Sequence, residues 1–403
     1  MDPSNDTSRY TVGWIAPLAL ELTAAIGMLE DHTMMPAPED DVIYHVGHIG
    51  LHFVVMVVCP RIGIEPAATA LANMRRSFPN IKHVLVVGIA GGVPCYGPDL
   101  REQIVLGDVV VGVPQHGSGG VTHYEFGTWE DNNELTVKGH TLHPSSALLT
   151  AVNNLRSAHM MAAGSRIPEY LQECRMGLNK RSRQAFEDPG AENDHLFEDD
   201  YVHPDRGRTC EGLCDTTRAK RRDYRGYLAE RETDQPEIHY GNIGSANAVV
   251  RPSAKRNELR ARHNIICLEM EAAGVMSDYQ GLVIRGICDY ADSHKNKKWQ
   301  AYAAATAAAY AKEVLMLLPS GKRVSTESSS SDDRNEDSSS GSGRGHQTFH
   351  NSGTGIMSFN AGSGSLTSNN AVGTQYNNAA GNQYNTPFYG HPPSFPGWPR
   401  SNR

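Results

Sequence analysis

The run Leu51-His52-Phe53-Val54-Val55-Met56-Val57-Val58 leads through Arg61-Ile62-Gly63 into the alanine-rich stretch Glu65 to Met74, and this unit decides the fold class. A short apolar run rich in β-branched residues reads as a strand buried on both faces, and the stretch after it has helical composition. The same unit stands earlier: Tyr10 to Ile15 reads as a strand, and Leu18, Leu22, Ile26 and Leu29 then recur at helical spacing. His83 to Val87 is a third strand running into Gly88-Ile89-Ala90-Gly91-Gly92, and Gly107-Asp108-Val109-Val110-Val111-Gly112 begins a fourth. Strands apolar on both faces that alternate with helices predict a mainly parallel or mixed sheet covered on both sides, an α/β fold. A helix predicted from Trp299 to Leu318, carrying the Ala303 to Ala309 run, closes the domain, because alanine favours helix and permits close packing.

The 403 residues are 39% hydrophobic, which allows one large domain or two ordinary ones with a polar extension. A net charge of -8 argues against a broad basic surface, so no nucleic-acid partner is expected. The polar start Met1-Asp2-Pro3-Ser4-Asn5-Asp6 lacks the blocks of a secretory signal, and no apolar run approaches the ~20 residues that cross a bilayer, so no membrane partner is expected. Seven cysteines, several in apolar segments (Cys59, Cys267, Cys288), fit a reducing compartment. The expectation is a soluble cytoplasmic protein.

Residues 1–9 read as a disordered N-terminus and 10–318 as the folded domain. Within it, 160–236 reads as an insertion, part flexible loop, with basic groups (Lys180-Arg181-Ser182-Arg183, Lys220-Arg221-Arg222) and little periodicity. Residues 319–403 are rich in Ser, Gly, Asn and Gln and are expected to be disordered. There Gly373-Thr374-Gln375-Tyr376-Asn377 recurs as Gly381-Asn382-Gln383-Tyr384-Asn385, a composition open to cross-β stacking or to service as an inert linker.

Chemistry concentrates in Cys267-Leu268-Glu269-Met270-Glu271-Ala272-Ala273-Gly274 and in Val283-Ile284-Arg285-Gly286-Ile287-Cys288-Asp289-Tyr290. Charges in apolar runs are costly unless paired or used. Glu271 stands where a strand gives way to a helix, and a carboxylate there can accept two hydrogen bonds from a vicinal diol such as a ribose. Glu269 is a candidate substrate contact or the partner of Arg262 or Arg285. Arg285 itself is a candidate at the substrate. Asp289 ends its strand, where α/β proteins bind ligands, and reads either as a proton donor or as a helix cap. His294-Lys295-Asn296-Lys297-Lys298-Trp299 adds cations at the same strand end, with Lys295 and Lys298 candidates for phosphate or simply a solvated helix start. The Gly88 to Gly92 stretch reads as a turn whose glycines, Gly91 and Gly92 among them, let backbone approach a ligand.

These motifs in this order resemble the nucleoside phosphorylase and nucleosidase superfamily, specifically the nucleoside-phosphorylase-like domains of fungal immune-receptor-type proteins. The resemblance covers about Tyr10 to Leu318, apart from the insertion. It implies a three-layer α/β fold with a central mixed, partly barrel-like sheet flanked by helices. It also implies roles: Glu21, in Val12-Gly13-Trp14-Ile15-Ala16-Pro17-Leu18-Ala19-Leu20-Glu21, primes the water nucleophile, although alone it would read as a solvated residue on an amphipathic helix. Arg61 surrounds the phosphate or water site, Gly91 and Gly92 lie beside base and ribose, and Met270 packs on the sugar. Glu271 takes the sugar hydroxyls, Asp289 protonates N7 of the departing purine, and Asn247 lies near the base where several relatives carry Asp. Hexameric purine phosphorylases place an Arg on the strand before the glycines, whereas this chain has Val86 and Val87, and a carboxylate at Glu21 would repel phosphate. The resemblance therefore implies hydrolysis, no cofactor, a purine nucleoside or nucleotide as substrate, and a homo-oligomer in which His123-Tyr124-Glu125-Phe126 could serve a neighbouring pocket. Some immune-type relatives cleave ATP to adenine and ribose triphosphate, and each Arg or Lys contact to phosphate adds roughly 1.5–3 kcal/mol, so ATP is the favoured substrate.

Three alternatives stand beside this reading. One is phosphorolysis, and another is a non-catalytic nucleotide sensor that assembles through the Gln/Asn-rich tail. The third is a zinc site in the insertion, where His195 and His203 accompany Cys210-Glu211-Gly212-Leu213-Cys214. With a single Cys pair, incidental cysteines are preferred and no metal is expected.

Overall fold

The computed structural model describes residues 6–37, 39–95, 102–161, 164–205, 207–220, 235–295 and 297–320. Its strands are β1 (Val12–Ala16), β2 (Glu30–Pro36), β3 (Ile43–Ile49), β4 (His52–Val58), β5 (His83–Gly92), β6 (Val109–Gly112), β7 (Val121–Trp129), β8 (Leu135–His140), β9 (Ile238–Ser245), β10 (Ile265–Glu269) and β11 (Leu282–Asp289). Its helices are α1 (Ala19–Ile26), α2 (Ile64–Ser77), α3 (Ser146–His159), α4 (Ile167–Met176), α5 (Lys180–Ala185), α6 (Ser253–His263), α7 (Ala272–Met276) and α8 (Gln300–Leu317). The strands pair in the order β2-β3-β4-β1-β5-β11-β6-β9-β7-β8, and β10 bridges β9 back to β5. β5, β11, β6, β9 and β10 thus close a five-stranded mixed barrel, from which β1, β4, β3 and β2 extend as an open wing. The fold is the α/β architecture, with a partly barrel-like sheet flanked by helices, that the sequence predicts.

The barrel and wing share a core because β1, β4, β5 and β11 are apolar on both faces. All five residues of β1 are buried, and all of β11 except Asp289. Such strands need helices on either face. α8 serves β5 and β11 and is itself packed by α1, α3 and α4. Every residue from Tyr302 to Leu315 in it is buried, as expected of a helix covered on all sides. Alanine makes this possible, since backbones approach closely only where side chains are small. Gly286 of β11 faces the Ala303 carbonyl so closely that a Cβ would fall on it.

Three expectations change. Gly88 to Gly92 is no turn: β5 continues to Gly92, pairing Gly91 and Gly92 with Leu268 and Cys267 of β10. Glycine serves there because neighbours press on the strand rather than because the chain reverses. The described part of the insertion carries α4 and α5, and α4 buries Ile167, Tyr170, Leu171 and Cys174. Glu313 of α8 anchors this segment, accepting hydrogen bonds from the Arg166 N–H, from Ser165 Oγ at 3.1 Å and from His159 Nε2 at 3.0 Å. Finally, Thr7–Arg9 form a turn of 3₁₀ helix capped by Asp6. The remainder of the N-terminus, Arg221, Arg222 and the tail with its tyrosine repeat lie outside the described residues. Among those described, no helix is long and apolar enough to cross a membrane.

The Gly286–Ala303 approach generates a prediction. Gly286→Ala adds a methyl against backbone, and overpacking of this kind costs about 1–3 kcal/mol. Denaturant unfolding should show a lower midpoint at unchanged slope; an unchanged midpoint would contradict the packing described.

Candidate active site

β1 and β11 each run parallel to β5, so their carboxyl ends meet on one edge of the sheet. A cavity of about 280 Å³ opens there. Its walls are Leu18 and Glu21 after β1, Ile89 to Gly91 of β5, Leu268 to Glu271 at the β10–α7 junction, and Ala248 to Val250 after β9. Cys288 and Asp289 at the end of β11 and Ala291, Lys295 and Lys297 beyond it also line the cavity, with Pro17, Ile62 and Gln300. Seven residues expected at a substrate therefore meet around one space: Glu21, Gly91, Glu269, Met270, Glu271, Asp289 and Lys295.

One wall is acidic and buried. Glu21 is 3% exposed, far from the solvated helix position that its bare sequence suggests. Its Oε2 accepts the Leu18 N–H at 2.6 Å, the reciprocal half of a capping arrangement at the start of α1, and Oε1 accepts the Ile89 N–H at 2.7 Å. Burial pushes its pKa from an ordinary 4.5 to about 8, against the opposing pull of Arg285 and the two N–H donors. Glu269 accepts the Glu271 N–H at 3.1 Å and the Ala272 N–H at 2.9 Å, and also takes Nη2 of Arg285. Those contacts occupy it, so it positions the junction and α7, and the ion-pair alternative is the one realised. Glu271 accepts the Gly63 N–H at 3.2 Å on Oε1 and faces Arg285 Nη2 at 3.4 Å with Oε2. Burial raises its pKa as well, with Arg285 opposing. Gly88 permits this crowding: a Cβ there would strike Glu21 and the Arg285 guanidinium.

Asp289 lines the same cavity. Its Oδ1 accepts the Ala291 N–H at 2.8 Å and Lys295 Nζ at 2.7 Å. It is not a helix cap; it closes a turn after β11. Gly91 leaves room for it, since a Cβ on Gly91 would stand 2.7 Å from Oδ1. The lining also carries apolar groups, Ile62, Ile89, Val249, Val250 and Met270, suited to a flat, weakly polar ligand.

Five candidates fall elsewhere. Arg285 is fully buried behind the acidic wall, its charge taken by Glu269 and Glu271, rather than at the substrate. Gly92 packs against Ile287 and Ile104. Arg61 is exposed and lies outside the lining. Asn247 is exposed and holds the loop before α2, its Oδ1 accepting the Ile64 N–H at 3.0 Å and its Nδ2 donating to Glu65 at 3.3 Å. Lys298 pairs with Glu211 at 3.2 Å. Among the lining residues not singled out are Lys297, which the quoted basic run contains, Gln300, at the start of the predicted last helix, and Val249 and Val250, whose short segment carries no pattern of its own. Among the described residues, one group has metal-ligand geometry, His203 with Cys210 and Cys214, and it is separate from this cavity.

No family model matches the chain. A nucleotide-binding leucine-rich repeat (NLR)-like protein from Hyaloscypha variabilis is 39% identical over 319 residues, 78% of this chain. The match spans 30% of that protein's length. Solved structures similar to this chain include a 5'-methylthioadenosine/S-adenosylhomocysteine nucleosidase from S. pneumoniae, with a TM-score of 0.48 and 16% identity over 77% of this chain and 100% of that one. Another is the futalosine hydrolase of Helicobacter pylori, with a TM-score of 0.48 and 13% identity over 76% of this chain and 98% of that one.

Two predictions follow from the buried wall. Glu21 ionises near 4.5 in the unfolded chain and near 8 in the fold, so its contribution to stability falls as pH rises from about 4.5 to 8, by a few kcal/mol. Glu21→Gln cannot ionise; its stability relative to the parent should climb steadily across that interval in denaturant melts. A difference independent of pH would contradict the buried neutral acid. Arg285→Met should cost about 3–5 kcal/mol by leaving carboxylates buried without their cation, and adding Glu269→Gln should recover part of that loss. Equal stability of Arg285→Met and the parent would be the contrary result.

Proposed function

We propose that this cavity hydrolyses the N-glycosidic bond of a purine nucleoside or nucleotide, with ATP the favoured substrate and adenine and ribose 5-triphosphate the products. The observation that carries this is the meeting of Glu21, Glu271 and Asp289 in the lining of one cavity together with apolar side chains. A purine fits between the apolar groups, with Met270 against the sugar and Glu271 accepting its hydroxyls. As the C1′–N9 bond breaks, its electron pair passes to the purine, and Asp289 delivers a proton to N7. In the resting site Asp289 is paired with Lys295 at 2.7 Å, so the proton it hands to N7 is taken up from solvent as the purine binds, and the ion pair re-forms once the base has left. Water adds to C1′ and gives its proton to Glu21, so that charge is balanced across the cavity.

Several features favour water over phosphate. Arg285 is committed to Glu269 and Glu271 and so has no free charge for phosphate, and Val86 and Val87 are buried core residues with no charge to offer. A cavity of about 280 Å³ lies near the lower end of the ~300–1,000 Å³ typical of small-molecule sites, enough for the nucleoside part. The 5′-phosphates would then extend toward Lys297, since Lys295 is committed to Asp289. The relative named as NLR-like supports a role in an immune or cell-death response. Phe126 and Trp129 on the β7–β8 hairpin, 60% and 71% exposed, suit burial against a second copy of the chain.

The test is chromatographic analysis of products from ATP, AMP, adenosine and inosine, with and without phosphate. Free base should appear without phosphate, and Asp289→Asn should lower kcat by about 10²–10⁴-fold. Equal base release by both proteins would remove Asp289 from the role of acid, and strict dependence on phosphate would favour the phosphorylase reading. Because Glu21 must lose its proton to accept one from water, kcat/KM should rise with pH up to about 8; a profile flat between pH 6 and 8 would contradict Glu21 as the base.

A further inference from the structure

The insertion and the loop after β11 meet at a cluster of soft and borderline donors. The ligand atoms of His203, Cys210 and Cys214 all lie within 4.8 Å of one another. The fold builds this arrangement locally: the Leu213 and Cys214 N–H groups both donate to the Cys210 carbonyl, at 3.1 and 2.9 Å, and Gly212 takes φ +65° to reverse the chain between the sulfurs. His203, 6% exposed, is fixed from the other side, its N–H donating to Ser293 Oγ at 3.0 Å. The single Cys pair that made zinc the weaker reading of the sequence has its third donor here, contributed from upstream in the insertion.

A second observation points to a ligand. His294 is 6% exposed, its ring 5.4 Å from that of His203, and neither ring nitrogen has a hydrogen-bond partner among the described residues. Asp292 Oδ2 stands 3.7 Å from Nδ1, beyond hydrogen-bond distance. Phe197 stacks on the His294 ring at 4.1 Å, and Tyr201 stacks at 5.2 Å. His294 and Cys210 border a small cavity that Cys288 and Asp289 also line. An imidazole buried without a hydrogen-bond partner, sharing a cavity with the Cys210 thiol and lying next to a second imidazole, is costly unless something coordinates it.

We propose that His203, Cys210 and Cys214 bind one zinc ion per chain, with His294 or water in the fourth position. Two thiolates with one or two imidazoles form a donor set that selects zinc, whose preference is tetrahedral. The ion ties the insertion to Ser293 and His294, just beyond Asp289 and beside Lys295, and so holds one wall of the neighbouring cavity. It touches no reacting atom; its role is positional. The proposal stands independently of the reaction assigned to that cavity.

The experiment uses the reduced, metal-stripped full-length protein titrated with Co²⁺. One cobalt should bind per chain, with a thiolate-to-cobalt charge-transfer band that Zn²⁺ abolishes on displacement. Cys214→Ser should roughly halve that band and His294→Ala should weaken cobalt affinity roughly 10–100-fold, while Cys95→Ser leaves both unchanged. Folded wild-type protein without the band, or a band that persists in the Cys210→Ser/Cys214→Ser double variant, overturns the proposal. Should the variants fail to fold, elemental analysis of wild-type protein purified from zinc-supplemented medium decides: about one zinc per chain supports the site, and none refutes it.

Discussion

The guanidinium of Arg285 is the point on which the candidate active site depends. It lies on a central barrel strand with no exposure to solvent, and Glu269, Glu271 and Glu21 gather around it. A lone buried cation would be intolerable, and so would buried carboxylates without one, so each needs the other. One cation does not balance three carboxylates, and burial raises the pKa values of Glu21 and Glu271 against its pull. Arg285 thus does indirectly what a substrate contact would do directly. It sets where two acidic groups stand and how readily they hold protons.

The glycines and alanines around this centre are the structural counterpart of that charge. Gly88 leaves space for Glu21 and Arg285, Gly91 for Asp289, and Gly286 for α8. Each sits within a strand, where glycine otherwise weakens pairing, and each stands where another group must approach the backbone. Close packing in the core and close approach in the site are therefore one requirement. The loop after β11 extends it outward, because the residues after Asp289 also receive the insertion through His203 and Ser293.

What the sequence discloses follows from where burial is unambiguous. β1, β4, β5 and β11 are apolar on both faces and could be read directly, as could the alanine-rich α8. β2 could not: Glu30–Pro36 is exposed at nearly every position and carries no alternation, being the edge of the wing. α4 was legible in principle, since Ile167, Tyr170, Leu171 and Cys174 recur at helical spacing, but the charged segments around them give the region the look of a loop. In the site, a charge within an apolar run announces burial without naming its partner. Hence Asp289 and Glu271 are found at the cavity while Arg285 belongs behind it, and Glu21, which alone reads as a solvated helix residue, is legible only through the family resemblance. Val249 and Val250 reach the lining only through tertiary folding.

The central claim is that water, primed at the acidic wall, adds to the sugar carbon as the purine leaves. The most direct measurement is turnover in ¹⁸O-labelled water with mass analysis of the sugar product at short times, before exchange of the product with solvent. The account predicts one heavy oxygen bonded to C1′ in every turnover, with no phosphate at that carbon. A sugar 1-phosphate carrying only unlabelled oxygen at C1′, or no cleaved sugar from any purine nucleoside or nucleotide, would contradict it.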